Sequence, residues 1–85
     1  MQTIHELLSR IRWDAEFGRG EFVIGYYDRM QERILQVPLR QVWLDANDRF
    51  FCQIVDEEGE LHSVPFHRIR EVYKNGAPIW RRPPL

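Results

Sequence analysis

The sequence predicts an α+β domain, with one N-terminal helix packed on a curled antiparallel sheet or open barrel of about six short strands. Three observations carry this. Apolar residues recur at helical spacing near the N-terminus, at Ile4, Leu7, Leu8 and Ile11. From Glu21 onward the apolar period changes to two, the period of a strand. Turn-forming residues separate the successive runs, and Asn75-Gly76 is the strongest of them, because both central positions of a tight type I′ hairpin need φ > 0.

The helix is expected over about Ile4 to Ile11. Thr3-Ile4-His5-Glu6 fits a capping box, in which the Thr3 hydroxyl accepts from the Glu6 amide. Arg10 and Arg12 suit the negative end of the helix dipole. Trp13 to Gly20 reads as a loop broken by Gly18 and Gly20. Glu21 to Asp28 is the first strand, with Phe22, Ile24 and Tyr26 on one face and Val23 and Tyr27 on the other. A second strand follows over Arg33 to Leu39, ending near Pro38, and a short third over Val42 to Asp45. Phe50 to Val55 is apolar on both faces and is expected to be central. Asp56-Glu57-Glu58-Gly59-Glu60 is a hairpin tip leading to Leu61–Val64. Pro65 to Arg68 breaks regularity as a single helical turn before a strand over Ile69 to Tyr73 and a closing Pro78-Ile79-Trp80-Arg81. No internal repeat, linker or low-complexity segment stands out.

Eighty-five residues form one domain, 1–85, with the core expected over about 4–81 and a short tail, Arg82-Pro83-Pro84-Leu85. An apolar fraction of 44% is ample for a folded core. No apolar run reaches the roughly 18–20 residues that span a bilayer, so no membrane partner is expected. The N-terminus lacks the basic start and apolar centre of a secretory signal. The single cysteine, Cys52, cannot form an internal disulfide and lies in an apolar run, which points to a reducing, cytoplasmic setting and a buried thiol. Nothing in the sequence sets an oligomeric state, so a monomer is the default.

The net charge of −1 excludes a generally basic protein that coats nucleic acid. Of the twelve basic residues only Lys74 is lysine, and the other eleven are arginine. Arginine offers a planar fork matched to phosphate oxygens, although a compositional bias gives the same count. The arginines recur beside aromatic residues, in Arg12-Trp13-Asp14, Tyr27-Asp28-Arg29 and Trp80-Arg81-Arg82. Val64-Pro65-Phe66-His67-Arg68-Ile69-Arg70 adds an imidazole, so His67, Arg68 and Arg70 could surround one small anion. Strand alternation would put Arg68 and Arg70 on one face, opposite Ile69. Each element has a plainer alternative: Trp13 covering the core, Arg12–Asp14 as a surface pair, and the later arginines as a solvated face.

His62 and His67 are the histidines of the sheet region. Five residues along a strand put them on opposite faces unless the break at Pro65 intervenes, and neither sits in a His-x-Ser/Thr phosphoesterase pattern repeated twice. His5, His62, His67 and Cys52 lack zinc spacing, the acidic tip lacks the calcium-loop pattern, and Gly18-Arg19-Gly20 is no phosphate loop. No metal and no cofactor is expected.

In order along the chain, Arg12-Trp13-Asp14, Gly25-Tyr26-Tyr27-Asp28-Arg29, Val37-Pro38-Leu39, Val64-Pro65-Phe66-His67-Arg68-Ile69-Arg70 and Gly76-Ala77-Pro78-Ile79-Trp80-Arg81 resemble the RNA cyclic-group-end-recognition domain family. The resemblance runs from about Ile4 to Arg81. It implies a non-enzymatic module for the 3′ end of RNA, recognising 2′,3′-cyclic phosphate termini in repair or processing. It also implies an RNA-processing protein partner, since similar units are joined to such modules in larger relatives. The binding residues it implies are Arg12, Asp14, Asp28, Arg29, His67 and Arg68; the residues themselves, in Arg12-Trp13-Asp14 and Tyr27-Asp28-Arg29, offer Trp13 and Tyr27 as stacking platforms. Two other functions fit the same residues: an adaptor that docks an acidic protein, and a cyclic phosphodiesterase that uses His67.

Overall fold

A computed structural model of the chain describes residues 2–82. It is the α+β fold that the periodicity predicts, one helix with seven short strands in two antiparallel sheets and no closed barrel. Helix α1 (Ile4–Trp13) is followed by β1 (Phe22–Asp28), β2 (Arg33–Pro38), β3 (Val42–Trp43), β4 (Phe51–Val55), β5 (Leu61–Pro65), β6 (Ile69–Lys74) and β7 (Ala77–Arg81). One sheet has the order β2-β1-β6-β7 and the other β3-β4-β5. β4 is central, as its apolar run suggested. The tail residues 83–85 lie outside the described residues. Among the described residues, no helix is long and apolar enough to cross a membrane.

The chain passes between the sheets twice, and each time it does so in the same way. Val37-Pro38-Leu39-Arg40-Gln41-Val42 carries β2 into β3, and Val64-Pro65-Phe66-His67-Arg68-Ile69 carries β5 into β6. Each proline is extended (φ −63, ψ 143 and φ −61, ψ 139) and is followed by one turn of 3₁₀ helix. The two hexapeptides are thus a short conformational repeat, and the sequence carries it as Val-Pro, an apolar residue, two polar residues and a β-branched residue, a pattern too short to stand out as an internal repeat. A proline gives no N–H to a ladder, so the strand stops there and the chain turns away.

Helix α1 starts as the capping box predicts, with the Thr3 hydroxyl accepting from the Glu6 amide at 3.1 Å. It runs two residues beyond the expected end, because Asp14 caps the following turn with Oδ1, accepting from the Glu16 and Phe17 amides. Phe17 is then held between the Arg10 guanidinium, 3.9 Å from its ring, and the Lys74 ammonium, 4.6 Å away. The core joins the helix to both sheets. Ile4, Leu7 and Leu8 meet Phe22, Ile24, Ile69, Val72 and Trp80 from one sheet and Cys52, Ile54 and Val64 from the other, with Phe66 from the second crossover. Trp80 closes the domain by donating its indole N–H to the Gln2 carbonyl at 2.7 Å.

β6 departs from regular alternation. Gly25 pairs with Glu71 and Tyr26 with Ile69, which leaves Arg70 as a bulged residue. Ile69 and Val72 both remain fully buried although three apart. Arg68 belongs to the 3₁₀ turn and Arg70 to the bulge, so the shared strand face expected for them does not form.

Asn75 and Gly76 both have positive φ (51 and 85), the type I′ hairpin that the sequence announces. Asn75 also accepts from the Glu21 amide at 2.9 Å and packs against Gly20. Gly20 has φ +109, and a Cβ there would lie 2.7 Å from Asn75 Oδ1. Gly59 has φ +83 in open space. Gly20→Ala should therefore cost more than Gly59→Ala, about 1–3 kcal/mol of stability for the strain at a non-glycine positive φ. Urea unfolding midpoints for the two variants check the order.

Cys52 is buried, as its apolar setting implied, and its thiol is 3.5 Å from the Val64 carbonyl. Burial pushes the thiol pKa up to about 11. Only about one thiol in a thousand is then ionised at pH 8. Ellman's reagent should leave the folded protein unlabelled at that pH and label it fully in denaturant.

Candidate functional site: a basic groove beside the helix

The second crossover is where sequence and geometry combine most directly. A 3₁₀ helix has three residues per turn, so Phe66, His67 and Arg68 point in three directions. Phe66 goes into the core, and His67 is exposed. His67 borders a groove of about 500 Å³ with His5 of α1, Arg49 and Phe50 before β4, and Trp80 and Arg82 at the end of β7. His5 rests against Phe66, with ring centroids 4.5 Å apart. Arg82 is fixed twice: its amide donates to the Arg70 carbonyl at 2.7 Å, and its guanidinium Nη1 donates to the His67 carbonyl at 2.8 Å. The bulge thus brings Arg70 beside Arg82.

Arg70 and Arg82 are thus neighbours through their backbones, joined by the bond from the Arg82 amide to the Arg70 carbonyl. Burial and then the neighbouring Arg70 charge lower the Arg82 pKa. Among the described residues neither arginine forms an ion pair. The Arg70 Nε is buried and has no hydrogen-bond partner. Natural proteins seldom leave a buried donor unpaired, because its desolvation costs about 1–3 kcal/mol. The Arg70 charge also acts on Arg82, and an anion nearby would offset it.

The loop that presents Arg49 and Phe50 is held by its own aspartates. Asp45 Oδ1 accepts from the Asn47 amide at 2.9 Å, and Asp48 Oδ1 accepts from the Phe50 and Phe51 amides at 3.0 Å each. A hollow of about 420 Å³ adjoins the groove at His5, Arg49 and Phe66 and is lined also by Arg12, Trp13, Asp45 and Asp48. The Arg12 guanidinium lies 5.3 Å from the Trp13 ring centroid.

The structure divides the sequence-derived set. His67 lies in the groove, and Arg12 and Trp13 line the adjoining hollow. Asp14 caps the turn after α1 and lies 3.9 Å from Arg10, not against Arg12. Asp28 Oδ1 accepts from the Met30 amide at 2.8 Å in the β1–β2 turn, where Arg29 is exposed. Tyr27 pairs with Ile34 on β2, and Arg68 leaves the crossover away from His67. None of Tyr27, Asp28, Arg29 and Arg68 lines the groove or the hollow. Sequence reasoning missed His5, Arg49 and Phe50 and did not select Arg82. Arg49-Phe50 repeats the arginine–aromatic pairing that had drawn attention to Arg12-Trp13, so a signal was present. His5 had none beyond its place on the polar side of the helix.

His62 is separate from this site. Its Nε2 is 2.6 Å from Asp56 Oδ2 at the base of the acidic hairpin. Asp56, Glu60 and His62 hold their ligating atoms within 4.8 Å of one another, but the Asp56–His62 bond and two backbone amides on Asp56 Oδ1 account for the cluster. The hydrogen bond to Asp56 raises the His62 pKa above 6.5, and the same bond lowers Asp56 below 3.8. For a raised histidine the stabilisation is complete below the unfolded pKa and is lost as pH climbs through the folded one. For the lowered carboxylate it is present above the unfolded pKa and is lost as pH falls through the folded one. The pair therefore contributes most between about pH 4 and 6.5. In a histidine ring NMR titration His62 should titrate above the ordinary value in the native protein and return toward it in Asp56→Asn.

A small α+β domain with a cation-lined, aromatic-edged groove is an anion-receptive binding domain in form. The family model described as the MJ1316 RNA cyclic group end recognition domain matches residues 1–82, and the chain belongs to that family. Membership agrees with the motif resemblance and supports RNA-end binding. No solved structure matches the chain.

Proposed function

We propose that this domain binds the 3′ end of RNA by seating a 2′,3′-cyclic phosphate between His67, Arg82 and Arg70. The observation that carries the reading is Arg82 on the wall of the groove beside His67, with Arg70 behind it and, among the described residues, no ion pair to either arginine. A cyclic phosphate is a monoanion with two free oxygens. One forked arginine contact and one imidazole donor satisfy it, and a second arginine balances its charge. An open terminal phosphate carries more charge and asks for more donors. Phe50, exposed beside the groove, offers a face for the terminal base. His5 and Arg49 complete the wall.

A local seat of this kind accords with an overall charge of −1. It also accords with a module that binds without turning over, since the second sheet-region histidine, His62, is engaged by Asp56. A role in RNA repair or processing follows from the ligand, because cyclic ends arise when RNA is cleaved by its own 2′-hydroxyl.

Fluorescence anisotropy with two short RNAs that differ only in a 2′,3′-cyclic phosphate or a plain 3′ hydroxyl tests the reading. The cyclic end should bind more tightly, and His67→Ala or Arg82→Gln should weaken it by about tenfold or more, the loss of a charge-assisted hydrogen bond. The salt slope should be shallow, equivalent to roughly one to three phosphate contacts. Equal affinity for the two ends would overturn the proposal, and steady consumption of the cyclic end by the native protein would replace it with the phosphodiesterase function.

A further inference from the structure

We infer that the hollow next to the phosphate seat is a second nucleotide subsite, so that the domain takes a single-stranded 3′ tail of at least two nucleotides and not an end held in a duplex. The inference rests on the proposed end-binding function and adds the form that the RNA must have.

The groove and the hollow adjoin, with His5, Arg49 and Phe66 lining both. Each has its own exposed aromatic ring. Phe50 borders the groove and Trp13 borders the hollow, and both are 76% exposed. Trp13 is thus not packing the core, which settles the plainer alternative for that residue. Trp13 stands exposed on the wall of the hollow, where a planar ligand can cover it. A base does so through its π face, without regard to its identity.

The charges follow the same path. Arg82 and His67 stand at one end, Arg49 and His5 at the middle, and Arg12 beside Trp13 at the other end. Cations therefore accompany both aromatic faces, as a chain carrying one phosphate per base requires. The hollow also contains Asp45 and Asp48, whose Oδ1 atoms are committed to backbone amides. Their carboxylates repel phosphate and accept from hydroxyl or amino groups. That combination keeps the backbone on the Arg12–Arg49 side and suits a 2′-hydroxyl or an exocyclic amine within the hollow.

The two stacking faces explain why a duplex would not fit. In an A-form helix every base face is covered by its neighbours except the outer face of the terminal pair, which can serve one aromatic ring and not two. Phe50 and Trp13 are both served only when the last bases are unpaired and splayed.

Three ligands with the same 2′,3′-cyclic end test this: the mononucleotide, a four-nucleotide single strand and a blunt hairpin. The four-nucleotide strand should bind about tenfold more tightly than the mononucleotide, the scale of stacking one more base, and the blunt hairpin no better than the mononucleotide. Trp13→Ala should reduce the ratio of strand to mononucleotide affinity to about one. Trp43→Ala, which removes an exposed indole from the other sheet, should leave the ratio unchanged. A ratio near one in the native protein, a ratio retained in Trp13→Ala, or a blunt hairpin that binds as tightly as the strand overturns the second subsite while end recognition stands. Absence of any preference for cyclic over hydroxyl ends overturns the end-binding function itself, and the subsite with it.

Discussion

Pro38 and Pro65 have no amide hydrogen, so neither can pass a hydrogen bond on to a further rung of its sheet. Each ends a strand, and each is followed by a single 3₁₀ turn that delivers the chain to the opposite sheet. The two-sheet architecture depends on these crossovers, and so does the groove. The second turn sends Phe66 into the core and thereby fixes His67 at the surface beside α1. A longer helix there would have spread these side chains along a face. A continued strand would have alternated them, with His67 and Arg68 on opposite sides of one sheet. The anchoring of Phe66 is thus also the positioning of His67.

Aspartate and arginine divide the work of the surface. All five aspartates, Asp14, Asp28, Asp45, Asp48 and Asp56, accept from backbone amides two to four residues onward. They hold the loops, as the short side chain of aspartate allows. Glu71 takes Arg81, 3.5 Å away, and accepts from the Tyr73 hydroxyl on the outer side of the four-stranded sheet. Arg70 and Arg82 have no carboxylate partner among the described residues. A chain of near-zero net charge thereby sustains a strongly positive point, because field depends on local arrangement and not on the sum.

The legible parts of the fold were those fixed by local chemistry. The Thr3 cap, the Asn75-Gly76 hairpin, the central β4 and the buried Cys52 each follow from a few adjacent residues, and each is present. The division into two sheets was less legible. It comes from two similar proline crossovers, Val37–Val42 and Val64–Ile69, whose shared pattern is only six residues long and does not by itself say that the chain changes sheets there. The candidate site was legible only where its residues lie on one motif. His67 was found through its own crossover, and Arg12-Trp13 through adjacency. Arg49, Phe50 and His5 come from a loop and a helix that meet the crossover through the tertiary fold alone. The Arg70 bulge is likewise a matter of register between β1 and β6, which strand alternation by itself does not reveal.

The bond from the Trp80 indole to the Gln2 carbonyl has a consequence for how such a domain can be joined to others. It brings the two ends of the described fold together, and both Gln2 and Trp80 border the groove. Any polypeptide attached at either end emerges next to the proposed RNA seat without crossing the sheets. The unit can therefore be placed within a surface loop of a larger protein, with entry and exit side by side, and its fold undisturbed. A neighbour connected in this way would share a high effective concentration with whatever the groove holds. The architecture is one of a handle, with the grip and the point of attachment on the same side.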